Sequence, residues 1–373
     1  MSRRFSWSGI LTVAAATALV ASCGERNQPQ DDAGAGPDTV YLQVVDSIGL
    51  EMGDSDYVFW SIDRLCFYTD GSILALDRVG GCVRRYAPDG TFIGRVGRRG
   101  SGPGEFQNPS DMVVLGDGRS VVFDIFTGGA HLLDTALVDQ GVVIPYYTDP
   151  PFFPVPGLDS SFVAGSYTLD MAEDAITMNY FVARFDLSAE PAVDYMRQTI
   201  PIDLENVTTD VIESLLYNSC WAVDGSGNVF IAPMSPDEYR ITGYRADGTE
   251  YMTIDMPAGQ VPRTEDEIAM EKAFIEARLA SMGSNLPLDY TPSPWRFQLR
   301  QLDVDGDGNI WALRGTVDTP TFDVFSPDGA YMHTAVVRGA GEDGGFWKFT
   351  IDPEGILAWS DNPPDYQKIY ILQ

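Results

Sequence analysis

Positive charge is scarce in this chain. Lys and Arg total 24 against 54 Asp and Glu, a formal charge of −30, and only three of the cations are lysines (Lys272, Lys348, Lys368). A nucleic-acid partner is therefore excluded, because a phosphate backbone is held by a Lys/Arg surface. Histidine is scarcer still, and two residues, His131 and His333, cannot build a three-histidine metal site. The longest apolar run, Ile10 to Val20, falls short of the roughly 20 residues that a spanning helix needs. The chain also lacks G-x-S-x-G, S-x-x-K, H-E-x-x-H and C-x-x-C, so serine-nucleophile, zinc-protease and thioredoxin chemistry find no support. The glycines of 97–104 precede neither Lys-Ser/Thr nor a helix and form no phosphate loop.

What is present begins with an address. Arg3 and Arg4 followed by the short apolar run read as a signal peptide over 1–22. Val20-Ala21-Ser22-Cys23 resembles the bacterial lipobox, with Cys23 as the acylated residue and Gly24 after it favouring the outer membrane. Several acyl chains give a stable membrane anchor where one gives only a reversible one. Cys23 to Asp38 is then the lipidated cysteine and a polar linker without periodicity, reaching roughly 20 Å r.m.s.. Three cysteines remain, Cys66, Cys82 and Cys220. An odd number cannot all pair, and a strand between those of Cys66 and Cys82 puts them beyond ordinary disulfide reach, so buried free thiols are expected.

Glycine (37) and proline (24) punctuate a repeat. An apolar strand, a Gly turn and a second apolar strand recur at 67–76, 113–123, 222–232, 303–313 and 350–359, with a weaker copy lacking Gly at 157–165. Asp and Gly supply the positive φ that hairpins demand. A second turn follows, clearest as Tyr86-Ala87-Pro88-Asp89-Gly90-Thr91, Tyr244-Arg245-Ala246-Asp247-Gly248-Thr249 and Phe325-Ser326-Pro327-Asp328-Gly329-Ala330, more loosely near Asp134 and Asp186. Two consecutive hairpins make a four-stranded antiparallel sheet. Six such units over 39–373 predict an all-β, six-bladed β-propeller. The last unit lacks a fourth strand, and the unpartnered segment Thr39 to Val45 is expected to supply it and close the ring.

First turns recur every 47 residues from 71 to 118 and from 308 to 355, whereas 227 to 308 is 81. The excess is a rim insertion over 259–297, between blades four and five. Thr264 and Glu267 form a capping box opening a helix that Gly283 ends, with Ile268, Ile275, Leu279 and Met282 on one face. A second short helix is expected within 203–218.

Gly97-Arg98-Arg99-Gly100-Ser101-Gly102-Pro103-Gly104-Glu105-Phe106-Gln107-Asn108-Pro109, with the hairpin after it and Asp124, closely resembles the NHL repeat, and Arg338 to Phe346 is a degenerate copy. With the lipobox, the chain resembles the bacterial six-bladed, NHL/TolB-like β-propeller lipoproteins. The resemblance implies a binding or scaffolding module at the cell envelope, its partner an envelope protein, peptide or glycan.

Candidate site residues follow. Asp77, Asp124 and Asp361 end second strands on the rim that carries the insertion. They suit either loop capping or the metal of a lactonase-like propeller hydrolase or lyase, the alternative function. Arg98, Arg99, Tyr290, Trp295, Arg296 and Arg314 suggest a cationic-aromatic patch for an anionic sugar or a peptide carboxylate. Asp303, Asp305 and Asp307 resemble the start of a Ca²⁺ loop, but Arg314 stands where the bidentate Glu belongs, so a solvated hairpin competes with binding of Ca²⁺ or another divalent ion. No catalytic residue is assigned.

Overall fold

The computed structural model describes residues 38–373 except 125, 127–128, 146–150, 172–175, 189, 203–217, 282–291, 316–318 and 362–365. Cys23, the signal segment, Tyr290, Gly283 and most of the expected 203–218 helix lie outside the described residues.

Each repeat folds as the two hairpins its turns dictate. Blade one is β2 (Ile62–Phe67), β3 (Ile73–Asp77), β4 (Cys82–Tyr86) and β5 (Phe92–Val96). Blade two is β6 (Pro109–Val114), β7 (Ser120–Asp124), β8 (Gly129–Leu133) and β9 (Asp139–Pro145). Blade three is β10 (Phe152–Pro156), β11 (Phe162–Met171), β12 (Ile176–Phe185) and β13 (Pro191–Ile202). Blade four is β14 (Ser219–Val223), β15 (Val229–Pro233), β16 (Tyr239–Tyr244) and β17 (Glu250–Met256). Blade five is β18 (Leu299–Val304), β19 (Ile310–Arg314), β20 (Thr321–Phe325) and β21 (Tyr331–Arg338). Blade six is β22 (Trp347–Asp352), β23 (Gly355–Ser360), β24 (Ile369–Leu372) and, from the other end of the described residues, β1 (Thr39–Ile48).

The first-turn glycines 71, 118, 227 and 308 hold φ between 78° and 85°, the left-handed region where a Cβ is costly. Where the sequence copies are loose, non-glycine residues take that conformation instead. Asp159 (φ 55°) serves the first turn of blade three, and Leu137 (59°) and Leu187 (47°) serve the second turns of blades two and three. The turns therefore survive without glycine, at a local cost.

Apolar residues of facing blades merge into six separate cores, each shared by successive blades. One joins blade six to blade one through Leu357, Trp359 and Ile369 against Ile62, Leu65 and Tyr86. The innermost strands touch in a complete cycle, β2 to β6, β10, β14, β18, β22 and back to β2. The ring is closed.

Closure by β1 goes further than its sequence suggested. Val44 to Ile48 pair antiparallel with β24 as the fourth strand of blade six, and Thr39 to Gln43 pair parallel with Thr334 to Arg338 of β21. One strand thus staples blades five and six into a continuous eight-stranded sheet. Helix α1 (Glu265–Ser281) opens on the expected capping box, the Glu267 N–H donating to Thr264 Oγ1 (3.2 Å) and the Thr264 N–H to Glu267 Oε2 (2.8 Å). Cys66, Cys82 and Cys220 are free thiols.

Candidate functional site

The six innermost strands surround a channel of about 1220 Å³. They run from the rim that bears the interblade links and the insertion toward the first turns, so position along a strand is height in the channel. Arg64, Asp111, Cys220, Gln301 and Lys348 each stand seven residues before the turn glycine of their blade (71, 118, 227, 308 and 355), and Cys66, Asp303 and Thr350 stand five before it. In β2, β6 and β18 the pairing skips one residue near the strand start, at Asp63, Ser110 and Arg300. Such a bulge re-aims the side chains beside it.

The upper level is knit by polar contacts. Arg64 donates to Asp111 (2.8 Å) and to the Pro154 carbonyl (2.6 Å). Gln301 donates to Asp303 and to the Phe349 carbonyl, both at 2.6 Å. Lys348 pairs with Asp361 at 2.5 Å, and Arg300 donates to the Gly344 carbonyl (3.0 Å) and to that of Gly345. Withdrawal from water disfavours charge on the acids below. Burial pushes the carboxyl of Asp303 up to about 8 and that of Asp352 up to about 7. It also raises Asp111, against the pull of Arg64, and lifts the Cys66 thiol to about 12.

The insertion covers the upper mouth. Its two arms pair at the base, the Arg263 N–H donating to the Pro294 carbonyl and the Arg296 N–H to that of Val261, both at 2.9 Å. Two ion pairs fix α1 to these arms, Arg263 with Glu271 (2.6 Å) and Arg296 with Glu267. Met270, Phe274 and Ile275 of the helix line the channel, and the Phe274 ring meets Phe346 at 5.4 Å. Phe153, at φ 50°, lines the channel with its ring 6.3 Å from Trp221. A non-glycine residue in that region stores backbone strain.

The structure separates the sequence candidates. Trp295, Arg296, Asp361 and Asp303 line the channel. Asp77 and Asp124 do not, because both are fully buried loop caps. Asp77 accepts the N–H groups of Trp60 (3.2 Å), Ser61 (3.2 Å) and Gly80 (2.8 Å) and is paired with Arg84 (2.9 Å). Asp124 accepts those of Gln107 (2.6 Å), Asn108 (3.1 Å) and Phe126 (3.0 Å). Carboxylates so occupied have no face to offer a metal. Arg98 lies on the surface with Glu105 (2.6 Å), Arg99 is exposed nearby, and Arg314 clasps the buried Asp323 with two bonds (2.8 and 2.6 Å). These three are away from the channel, so the cationic-aromatic patch does not assemble as one surface.

The aspartates of the Ca²⁺-like loop do not converge either. Asp303 faces the channel, whereas Asp305 accepts from the Asp307 and Asn309 N–H groups, the Asn309 amide and the Trp311 indole at 2.8–3.0 Å. Oxygens facing N–H donors are turned away from a cation. Among the described residues, no group of three or more His, Cys, Asp or Glu is placed to hold a metal ion. His131 is buried against Asp139 (3.3 Å), and His333 meets the Trp311 ring edge-on. Arg64, Asp111, Gln301, Lys348, Trp221 and Trp359, all lining the channel, were not singled out from the sequence. The signal that finds five of the inward positions is the fixed offset from the turn glycine.

No family model matches the chain, and no curated protein matches it. Among solved structures it is similar to regucalcin, described as a calcium-binding protein, from Agrobacterium tumefaciens (10% identity, 89% of this chain and 94% of that one, TM-score 0.42). It is similar also to a gluconolactonase from Xanthomonas campestris (14%, 85% and 88%, 0.39) and to virginiamycin B lyase from Staphylococcus aureus (10%, 89% and 98%, 0.41). Likeness at this level says nothing about chemistry.

Proposed function

We propose that the chain is a non-enzymatic, lipid-anchored binding protein of the cell envelope, a propeller that takes a ligand in its lidded channel. The observation that carries this reading is the channel itself, whose upper mouth is covered by an insertion that the propeller does not need for closure. Large cavities with a few convergent polar groups are the usual form of a small-ligand site. The lipobox ending at Cys23 and the linker to Asp38 support the anchor, and Gly24 supports the outer membrane. The hydrolase alternative loses support because Asp77 and Asp124 spend their oxygens on loop N–H groups.

Native mass spectrometry of the protein purified from envelope membranes tests this, with metal content and lactone turnover measured on the same sample. The expected result is a retained ligand adduct that disappears when 259–297 is replaced by a short linker. A stoichiometric divalent ion together with turnover overturns the reading.

A further inference from the structure

We propose that the lidded half of the channel takes an uncharged ligand that is largely hydrocarbon; this rests on the binding reading above and names the class of its ligand.

The lid carries the stripe that such a ligand meets. Glu267, Met270, Glu271, Phe274 and Ile275 of α1 line the channel, and their spacing of three and four puts them on one face of the helix. Both acids of that stripe are taken, Glu267 by Arg296 and the Thr264 N–H, Glu271 by Arg263. Ile275 is almost wholly buried. The surface left to a ligand is that of Met270, 39% exposed, and of the half-buried Phe274. Methionine adapts its shape to an apolar neighbour. On blade three, Phe153 lines the same channel and is 47% exposed. Its backbone, at φ 50°, is one that phenylalanine adopts only under strain. A ring held at that cost, with nearly half of the residue uncovered, is surface kept for contact.

The charged groups of that half already have partners. Among the described residues, the cations of the lining are Arg64, Arg263, Arg296, Arg300 and Lys348. Asp111 holds Arg64, Glu271 holds Arg263, Glu267 holds Arg296 and Asp361 holds Lys348. Arg300 donates to the Gly344 and Gly345 carbonyls, and the remaining acid, Asp63, is paired with Arg78 at 3.1 Å. An ionised ligand has to break one of these pairs, which leaves a buried charge uncompensated. Neutral polar groups are spent as well. Gln301, the one side-chain amide among the described residues of the lining, donates to Asp303 and the Phe349 carbonyl and accepts the Phe349 N–H (3.3 Å). The hydroxyls of Ser110, Ser219 and Thr350 bond to the Phe123 carbonyl, the Tyr180 hydroxyl and the Leu65 carbonyl. The indole N–H groups of Trp221 and Trp359 have essentially no surface, so a ligand does not reach them. One level below Gln301, burial pushes the Asp303 carboxyl up to about 8 and keeps it largely uncharged at neutral pH. What these walls still offer is apolar contact, which rewards withdrawal of hydrocarbon from water.

Calorimetry at neutral pH with octanol, octanoate and octylamine, three head groups on one chain, tests the class. The protein is the full-length mature chain carrying Cys23→Ser, which keeps acyl chains and detergent out of the titration. Octanol is expected to bind at least about tenfold more tightly than either charged relative. It is also expected to bind about tenfold more tightly than hexanol, as buried methylenes require. Met270→Ser and Phe274→Ser each remove apolar wall and are each expected to weaken octanol about tenfold. Two variants guard against one failing to fold, which thermal melting reports. Octanoate or octylamine binding as tightly as octanol overturns the inference while leaving the channel a binding site. Octanol binding that neither folded variant alters overturns it too, as does failure of all three probes to bind. Metal-dependent lactone turnover is the separate result that removes the binding reading itself.

Discussion

At the scale of the residue, one side-chain type does different work at different depths. Asp77 is a structural cap, and removing it orphans three loop N–H groups and the buried Arg84 guanidinium. Asp77→Ala is expected to cost about 3 kcal/mol in urea unfolding without altering ligand affinity in the channel. A stable variant with lost binding would reverse that assignment. Asp303 behaves differently. Its folded carboxyl is held at about 8 by burial, against an unfolded value near 4. The fold therefore favours the protonated form, a contribution complete below about pH 4 and lost as pH rises toward 8. Stability relative to Asp303→Asn should fall across that window by an amount on the order of 5 kcal/mol. Urea titrations of both proteins from pH 4 to 9 check this, and a constant difference refutes it.

At the scale of the element, the insertion and the doubly paired β1 depart from the plain blade repeat, and they differ in how far they could be read. The helix was legible because its start is local chemistry: Thr264 and Glu267 satisfy each other's N–H groups within one turn. Thr264→Ala should loosen α1 by about 1 kcal/mol. Hydrogen exchange within 265–281 should rise while the melting temperature of the ring stays put; a shifted global melt would mean that the lid is part of the cooperative fold. The strand role of β1 was legible because the last repeat lacks a fourth strand and this segment has no hairpin partner, but its parallel pairing with β21 was not, because a strand pattern fixes faces and never partners. The channel lining was hidden for a related reason. Its residues come from six strands spread over the chain, and bulges at Asp63, Ser110 and Arg300 shift which side chain points inward. Asp77 and Asp124 were visible at strand ends, yet a cap and a ligand look alike until the N–H donors are placed.

At the scale of the whole molecule, six cores of similar construction are closed into a ring inside a strongly acidic surface. Self-repulsion at −30 opposes compaction and is screened by salt. Raising ionic strength from about 10 mM to about 150 mM shortens the Debye length from about 30 Å to about 8 Å. The melting temperature at pH 7 is expected to rise over that range, and a flat or falling response in calorimetry would show that the local ion pairs already offset the net charge.

The stapling of β1 also has a consequence for synthesis. Its partners are Thr334 to Arg338 and Ile369 to Leu372, and Gln43 exchanges main-chain bonds with Gln373 (2.8 and 3.0 Å). A ribosome delivers Thr39 to Ile48 before the other described strands of the ring, yet nothing exists for them to pair with until β21 and then β24 have been made. The earliest of these strands is the last to dock, and its apolar residues stay open to chaperones until then.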